Sequence, residues 1–199
     1  MPNTSATGGY LQPETTPVVA QDSSLRAFLH GVIASVTGLA SDRVRQAWQA
    51  SPAPTPSIDV DWSAFAIVSQ VADFDSYQGE NDSGLTMAYI RHESVEVLCT
   101  FYGPNCQGYA GRLVDGMQIG QNRDTMRSVG MGSFDFSPIV HAPELFNDRY
   151  IERVDVTMTL RREIRRDYPI LSLLAAEGMI DTETVSQPWV TDPQGVIPQ

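Results

Sequence analysis

Between Arg149 and Tyr168 hydrophobic and polar residues alternate with a period of two. Val154, Val156, Met158 and Leu160 share one side, and Arg153, Asp155, Thr157 and Thr159 the other. This predicts a long strand buried on one face only. Its far end carries Arg161, Arg162, Arg165 and Arg166 beside Glu163 and Asp167, which suits a sheet rim that grips something. Upstream the period becomes helical. Leu25, Phe28, Leu29, Val32, Ile33 and Val36 predict a core-facing amphipathic helix, with Ser23 or Ser24 as N-cap and Gly38 as its stop. Arg26 and His30 lie on its other side, toward solvent or a partner.

The segments between them fill in a sheet and two more helices. Short alternation from Arg43 to Gln49, with Val44 and Trp48 as its bulky members, predicts an edge strand ahead of the proline-rich loop SPAPTPS. Trp62 to Val71 predicts a strand covered on both faces. The acidic stretch DFDSYQGENDSG, Asp73 to Gly84, reads as a solvated hairpin tip, because its spacing does not match a calcium-binding loop. Leu85–Arg91 and Ser94–Tyr102 predict two strands turning around His92 and Glu93. After Gly103-Pro104, residues Tyr109, Ala110, Leu113, Val114 and Met117 predict a helix capped by Asn105. A shorter helix, Gln121 to Val129, ends at Gly130. Phe134 to Val140 predicts a strand that Pro138 confines to an edge.

This order implies an α+β fold with a mainly antiparallel sheet, helices packed on one face and extended N- and C-terminal arms. Three parts are expected: a flexible arm over residues 1–22, a single α+β domain over 23–170 and an extension over 171–199. In the extension, the apolar patch from Ile170 to Ala176 suits docking on another subunit, and Trp189 is a candidate anchor for a partner pocket.

Charge narrows the function classes. A formal net charge of -11 argues against general nucleic-acid binding, which needs an excess of positive charge. All 13 basic residues are arginine. Either genomic base composition or forked carboxylate contacts across interfaces accounts for that. The sequence has no apolar run long enough to cross a bilayer, and its first residues lack the pattern of a secretion signal, so folding in a cytoplasm is expected.

No catalytic, cofactor-binding or metal-binding set emerges. His30, His92 and His141 are scattered, and GPNCQGYAGR lacks the lysine of a phosphate-cradling loop. Cys99 shares a strand face with Val95, Val97 and Phe101, which predicts a small buried hydrophobe; a bond to Cys106 is geometrically conceivable but at odds with a reducing compartment. The chain is therefore expected not to be an enzyme and to use no cofactor.

Three segments carry a resemblance: the helix LRAFLHGVIASVTGLASDRVRQAWQ, then QGYAGRLVDGMQIGQNRDTMRSVGM, then PELFNDRYIERVDVTMTLRREIRRDYPI. GQNRDTMR and RYIERVDVTMTLRREIRR are the most specific parts. Over Leu25 to Ile170 the chain resembles the neck or tail terminator proteins of long-tailed bacteriophages, particularly contractile-tailed ones. The resemblance implies a virion protein of the head-tail junction, assembled as a hexameric ring at the head-proximal end of the tail. Such a ring ends tail-tube polymerisation and joins the tail to the head. Implied partners are further copies of the chain, the tail tube protein, a head-completion or connector protein and the tail sheath, with genomic DNA passing through the lumen without specific binding and no membrane involved. A connector or stopper on the portal side is the alternative within the same class, and a small enzyme the alternative outside it. Candidate subunit or partner contacts are Arg153, Arg161, Arg162, Arg165 and Arg166 against Asp73, Asp75, Glu80 and Asp82, with Trp189 as anchor. The competing expectation pairs the arginines with Glu163, Asp167 and Glu152 of their own subunit.

Overall fold

Leu25, Leu29 and Ile33 recur every four residues, and in the computed structural model all three are fully buried along one stripe of helix α1 (Ser23–Thr37). Gly38 stops the helix in the left-handed conformation, φ 77°, and its N–H donates to the Ala34 carbonyl. The start differs from expectation: Asp22, not a serine, holds the N-cap position and makes no side-chain cap bond. The structure describes residues 3, 7, 9–17, 19, 21–80, 86–146, 148–170, 176–181 and 186–191.

After a short 3-10 turn over Ser41–Arg43 come strands β1 (Val44–Gln46), β2 (Trp62–Glu80) and β3 (Thr86–Tyr102). Helices α2 (Cys106–Gly116) and α3 (Gly120–Arg127) follow, then strands β4 (Met131–Phe136), β5 (Val140–His141), β6 (Glu144–Phe146), β7 (Arg149–Ile151), β8 (Arg153–Pro169), β9 (Ala176–Asp181) and β10 (Ser186–Thr191). Among the described residues the main sheet has six strands in the order β1-β2-β3-β8-β4, with β5 also pairing β8. It is mostly antiparallel. Strand β1 runs parallel to β2, with Val44 opposite Ser63. Strands β6 and β7 form one two-stranded sheet and β9 and β10 another, with Ser186 opposite Asp181. The chain divides into two units: one contains Met1–Glu14, Gln78–Ala88 and Asp167–Gln199, the other Thr15–Tyr77 and Tyr89–Arg166.

The hydrophobic core lies in the second unit. One face of the sheet contributes Phe65, Val95, Val97, Cys99 and Phe101, together with Val154, Val156, Met158 and Leu160 at every second position of β8. Leu29 of α1, Leu113 of α2 and Met126 of α3 join the same cluster, so the helices cover this one face, as the α+β reading anticipates.

Several elements depart from expectation for physical reasons. Strand β2 is covered only near its start, since Val68 and Val71 are 45% and 61% exposed. It then continues through the acidic stretch to Glu80, so Asp73, Asp75 and Glu80 lie on a strand and not in a loop. Backbone pairing with a neighbouring strand satisfies the peptide groups whatever the side chains are. The two strands expected around His92 and Glu93 are one strand, β3, because Glu93 is buried beside arginines and needs no solvated turn. The segment predicted as one strand from Phe134 divides into β4 and β5 on either side of Pro138, with a register shift between Ser133 and Asp135. Glu152 separates β7 from β8, its carbonyl accepting the Gly103 N–H at 3.0 Å. In the extension, Ala176 opens strand β9, while 171–175 and Asp82 fall outside the described residues.

Asn105 does precede α2, but its side chain makes no cap bond. Instead Asp61 accepts the Asn105 backbone N–H at 2.8 Å and its side-chain amide at 2.9 Å. Gly103 makes that approach possible. Its φ is 104°, and a Cβ there would lie 2.6 Å from an Asp61 carboxylate oxygen and 2.7 Å from the Val60 carbonyl. Gly103→Ala is therefore expected to destabilise the fold by about 1–3 kcal/mol. At Gly111, where an added Cβ meets nothing within 4 Å, alanine is expected to stabilise by about 0.5–1 kcal/mol through helix propensity. Denaturant midpoints of the two variants check the pair, and equal shifts would contradict it.

Candidate interaction surface

The alternation of β8 does not stop where the arginines begin. Arg162 falls in the same row as Leu160 and Ile164, which are fully buried, and is itself 1% exposed. A guanidinium enclosed among hydrophobes requires a carboxylate, and Glu93 on the neighbouring strand β3, 3% exposed, provides one. Its Oε1 accepts from Arg162 Nη1 at 3.4 Å, and its Oε2 pairs with Arg91 at 3.1 Å. Burial pushes the Arg162 pKa below its ordinary value, while Glu93 opposes that shift. A second Arg162 nitrogen donates to the Val19 carbonyl, and Arg166 donates to the Gln21 side chain at 3.3 Å. Arg162 is thus an internal brace that also holds the segment ahead of α1. Its expected place among the partner contacts is corrected by its burial.

Arg161, one residue earlier, points the other way. Its guanidinium forks onto Asp73 of β2, with bonds of 3.0 and 2.5 Å, and also donates to Ser94 of β3 at 2.8 Å. The Arg161 hydrogen bonds hold the Asp73 carboxyl below its usual pKa, and Asp73 raises that of Arg161. The side chain therefore spans β3 to reach β2, two strand spacings or about 10 Å away. Arg161 and Arg162 thus pair with acids on other strands, Asp73 and Glu93. Neighbours along a strand face opposite sides, whereas residues on adjacent strands face each other. Arg165 is exposed.

On the face away from the helices, four side chains stack in a row. Arg45 lies 5.5 Å over the Trp62 ring, Trp62 stacks on Tyr102 at 4.2 Å and 7°, and Arg153 lies 5.8 Å over Tyr102. Arg153 donates to Asp155 at 2.9 Å and to Glu144 at 3.1 Å, and its bond to Asp155 is the main reason its pKa is raised. Arg45 donates to the Pro54 carbonyl at 2.7 Å. Sequence reasoning missed this row. Its only signal was two aromatic residues, Trp62 at the start of one predicted strand and Tyr102 at the end of another.

The row borders a groove of about 210 Å³ lined by Trp48, Ala64, Leu98, Tyr102 and Arg153. Trp48 is 78% exposed and has a left-handed backbone, φ 56°. Farther along β2, Phe74 is fully exposed and Tyr77 is 64% exposed, beside the exposed Asp75. Glu80 is likewise exposed; Trp189 has its backbone opposite Gly178, and its side chain falls outside the described residues.

His30 Nε2 is 3.0 Å from the Ser41 carbonyl, and His92 is 3.8 Å from Glu163. Among the described residues, no group of three or more His, Cys, Asp or Glu is placed to hold a metal ion. No described helix is long and apolar enough to cross a membrane. Cys99 and Cys106 are both buried, free thiols. The surface thus offers aromatic rings and forked cations for contact with another macromolecule. A family model described as phage neck terminator protein matches residues 23–184. No individual curated protein matches the chain.

Removing one partner of the buried pair leaves uncompensated charge, so Glu93→Ala is expected to cost about 3–5 kcal/mol. Combining Glu93→Leu with Arg162→Met is expected to recover most of that loss. Chemical denaturation of both proteins tests this, and a harmless Glu93→Ala would contradict the bracing role. Burial raises the Cys99 thiol to about 12. A raised folded-state pKa stabilises below the ordinary value of 9.0 and loses that contribution as pH climbs toward 12. Stability is therefore expected to fall between those limits, and less steeply in Cys99→Ala. Matching slopes for the two proteins would refute the assignment.

Proposed function

The chain belongs to the phage neck terminator protein family, a family of structural proteins of the virion neck, and from that premise we propose that it forms a ring closing the head-proximal end of the phage tail. In this reading the ring is a hexamer that halts growth of the tail tube and joins the tail to the connector or head-completion protein. The tube protein and the sheath are the neighbours on the tail side. The carrying observation is that the family match, residues 23–184, takes in α1, the whole described main sheet and the arginine-bearing strand β8.

The physical properties of the chain support the reading. A ring subunit needs two different complementary patches for head-to-tail closure. The exposed acids Asp75 and Glu80 and the arginines Arg165 and Arg166 occupy separate parts of the sequence and serve as proposed contacts, together with Asp82 and Trp189. Arg153, Arg161 and Asp73 contribute differently: their ion pairs fix the shape of the surface from which those contacts are made. A net charge of -11 suits a ring through which DNA passes, because repulsion discourages the polyanion from adhering to the wall.

Electron microscopy of virions carrying a labelled chain is expected to find it at the head-tail junction. Cells infected with a phage lacking it are expected to accumulate filled heads and unjoined tails. Virions that lack the polypeptide would refute the reading, and its retention on tailless heads would favour the connector side. Replacing Arg165 and Arg166 by glutamine is expected to impair joining while changing stability by no more than about 0.5 kcal/mol. Undiminished joining would remove these two residues from the contact set.

A further inference from the structure

The structure carries two exposed patches of complementary character, and we propose that they are the two halves of a contact between successive copies of this chain. The first half is a socket at the β1 edge of the sheet, around Trp48. The second is a plug, the Val71–Tyr77 stretch of β2. The proposal rests on the ring reading above and names the surfaces by which one copy holds the next.

Geometry forbids the two halves from meeting within one chain. Strand β2 pairs with β1 through Ser63, Ala64 and Phe65, and it exposes Phe74 nine residues later. At about 3.3 Å per residue those positions lie roughly 30 Å apart along a single strand. A strand cannot fold back on itself, so a plug reaches only the socket of another copy. The result is a heterologous contact, the kind that repeats around a ring.

The socket has a built shape. Trp48 is held outward at 78% exposure by a left-handed backbone, a conformation that a bulky residue adopts only under constraint. Grooves of about 170 and 210 Å³ flank it, the first lined by Pro52, Thr55 and Trp62, the second by Leu98 and Tyr102. A third hollow, of about 430 Å³, lies between α1 and β1. It is lined by Arg26, His30 and Arg45, and among the described residues no acidic one lines it. This cationic hollow belongs to a chain whose net charge is -11.

The plug matches it in chemistry. Phe74 is fully exposed, Tyr77 is 64% exposed and Val71 61%, a concentration of apolar surface that water disfavours. Asp75 stands exposed between the two rings, whereas Asp73 is already engaged by Arg161. By strand parity Phe74 lies on one face of β2 and Asp75 and Tyr77 on the other, so Phe74 meets the Trp48 grooves while Asp75 faces Arg26. Three aromatic side chains bury about 150–250 Å² each, below the roughly 800 Å² per partner of a standard stable interface. The contact is accordingly weak between two copies in dilute solution and is reinforced when many copies close on a tail tube.

The test uses the full-length chain, concentrated or incubated with isolated tail tubes. Gln49→Cys and Tyr77→Cys chains carrying different tags are mixed under mild oxidation. The native thiols of Cys99 and Cys106 are buried and do not compete. A disulfide joining the two tags supports the proposal. Trp48→Ala and Phe74→Ala, both at exposed positions, are each expected to weaken self-association at least tenfold without moving Tm. Asp75→Arg is expected to weaken it as well, and mixing with Arg26→Asp chains to restore it. Copies that associate undiminished in Trp48→Ala and Phe74→Ala, with no cross-link formed, overturn this contact and leave the ring reading standing. A wild-type chain that never self-associates, either concentrated or on tubes, overturns both.

Discussion

The buried pairing of Arg162 with Glu93 is the constraint on which the rest depends. Period-two geometry continues along β8 past Leu160 and turns Arg162 inward, so a guanidinium lands between Leu160 and Ile164. Glu93 keeps that arrangement tolerable, and in doing so keeps β3 straight where a polar His-Glu step would otherwise favour a turn. A one-residue slip of β8 would put Arg161 and Glu163 inside and Leu160 outside. The ion pair and the hydrophobic row therefore specify one register together, and they fix which arginines face outward.

Outward geometry follows from that register. Once Arg162 is inside, Arg161 must lie on the opposite face, from which it reaches across β3 to Asp73. Arg153, also on that face, closes the row of rings and cations over Tyr102. The helix-free side of the sheet is thereby held by cross-strand charges and stacked rings, while the helix side is held by hydrophobic packing. The two faces are thus tied independently of each other.

Much of the fold was legible because periodicity reports burial directly. The stripe of α1, its glycine stop and the inward row of β8 needed only spacing. What escaped depended on partners distant in sequence. Nothing near Glu93 announces that an arginine 69 residues away will neutralise it, so the step read as a turn. Likewise Asp61 reaches Asn105 across 44 residues, and the cap was assigned to the nearer side chain. The acidic stretch read as loop because composition reflects solvent preference, whereas strand pairing is a property of the backbone. The arginine cluster was read as one group, because composition does not separate an inward arginine from an outward one. Parity does, and continuing the alternation two residues further would have separated Arg161 from Arg162.

Arg162 clasps the segment ahead of α1 through the carbonyl of Val19 and not through a side chain. Every amino acid offers that same oxygen. The clamp is consequently blind to the identity of residue 19, and this stretch can drift in evolution, adapting its outward chemistry to changing hosts or companions, while its mooring to the sheet stays constant.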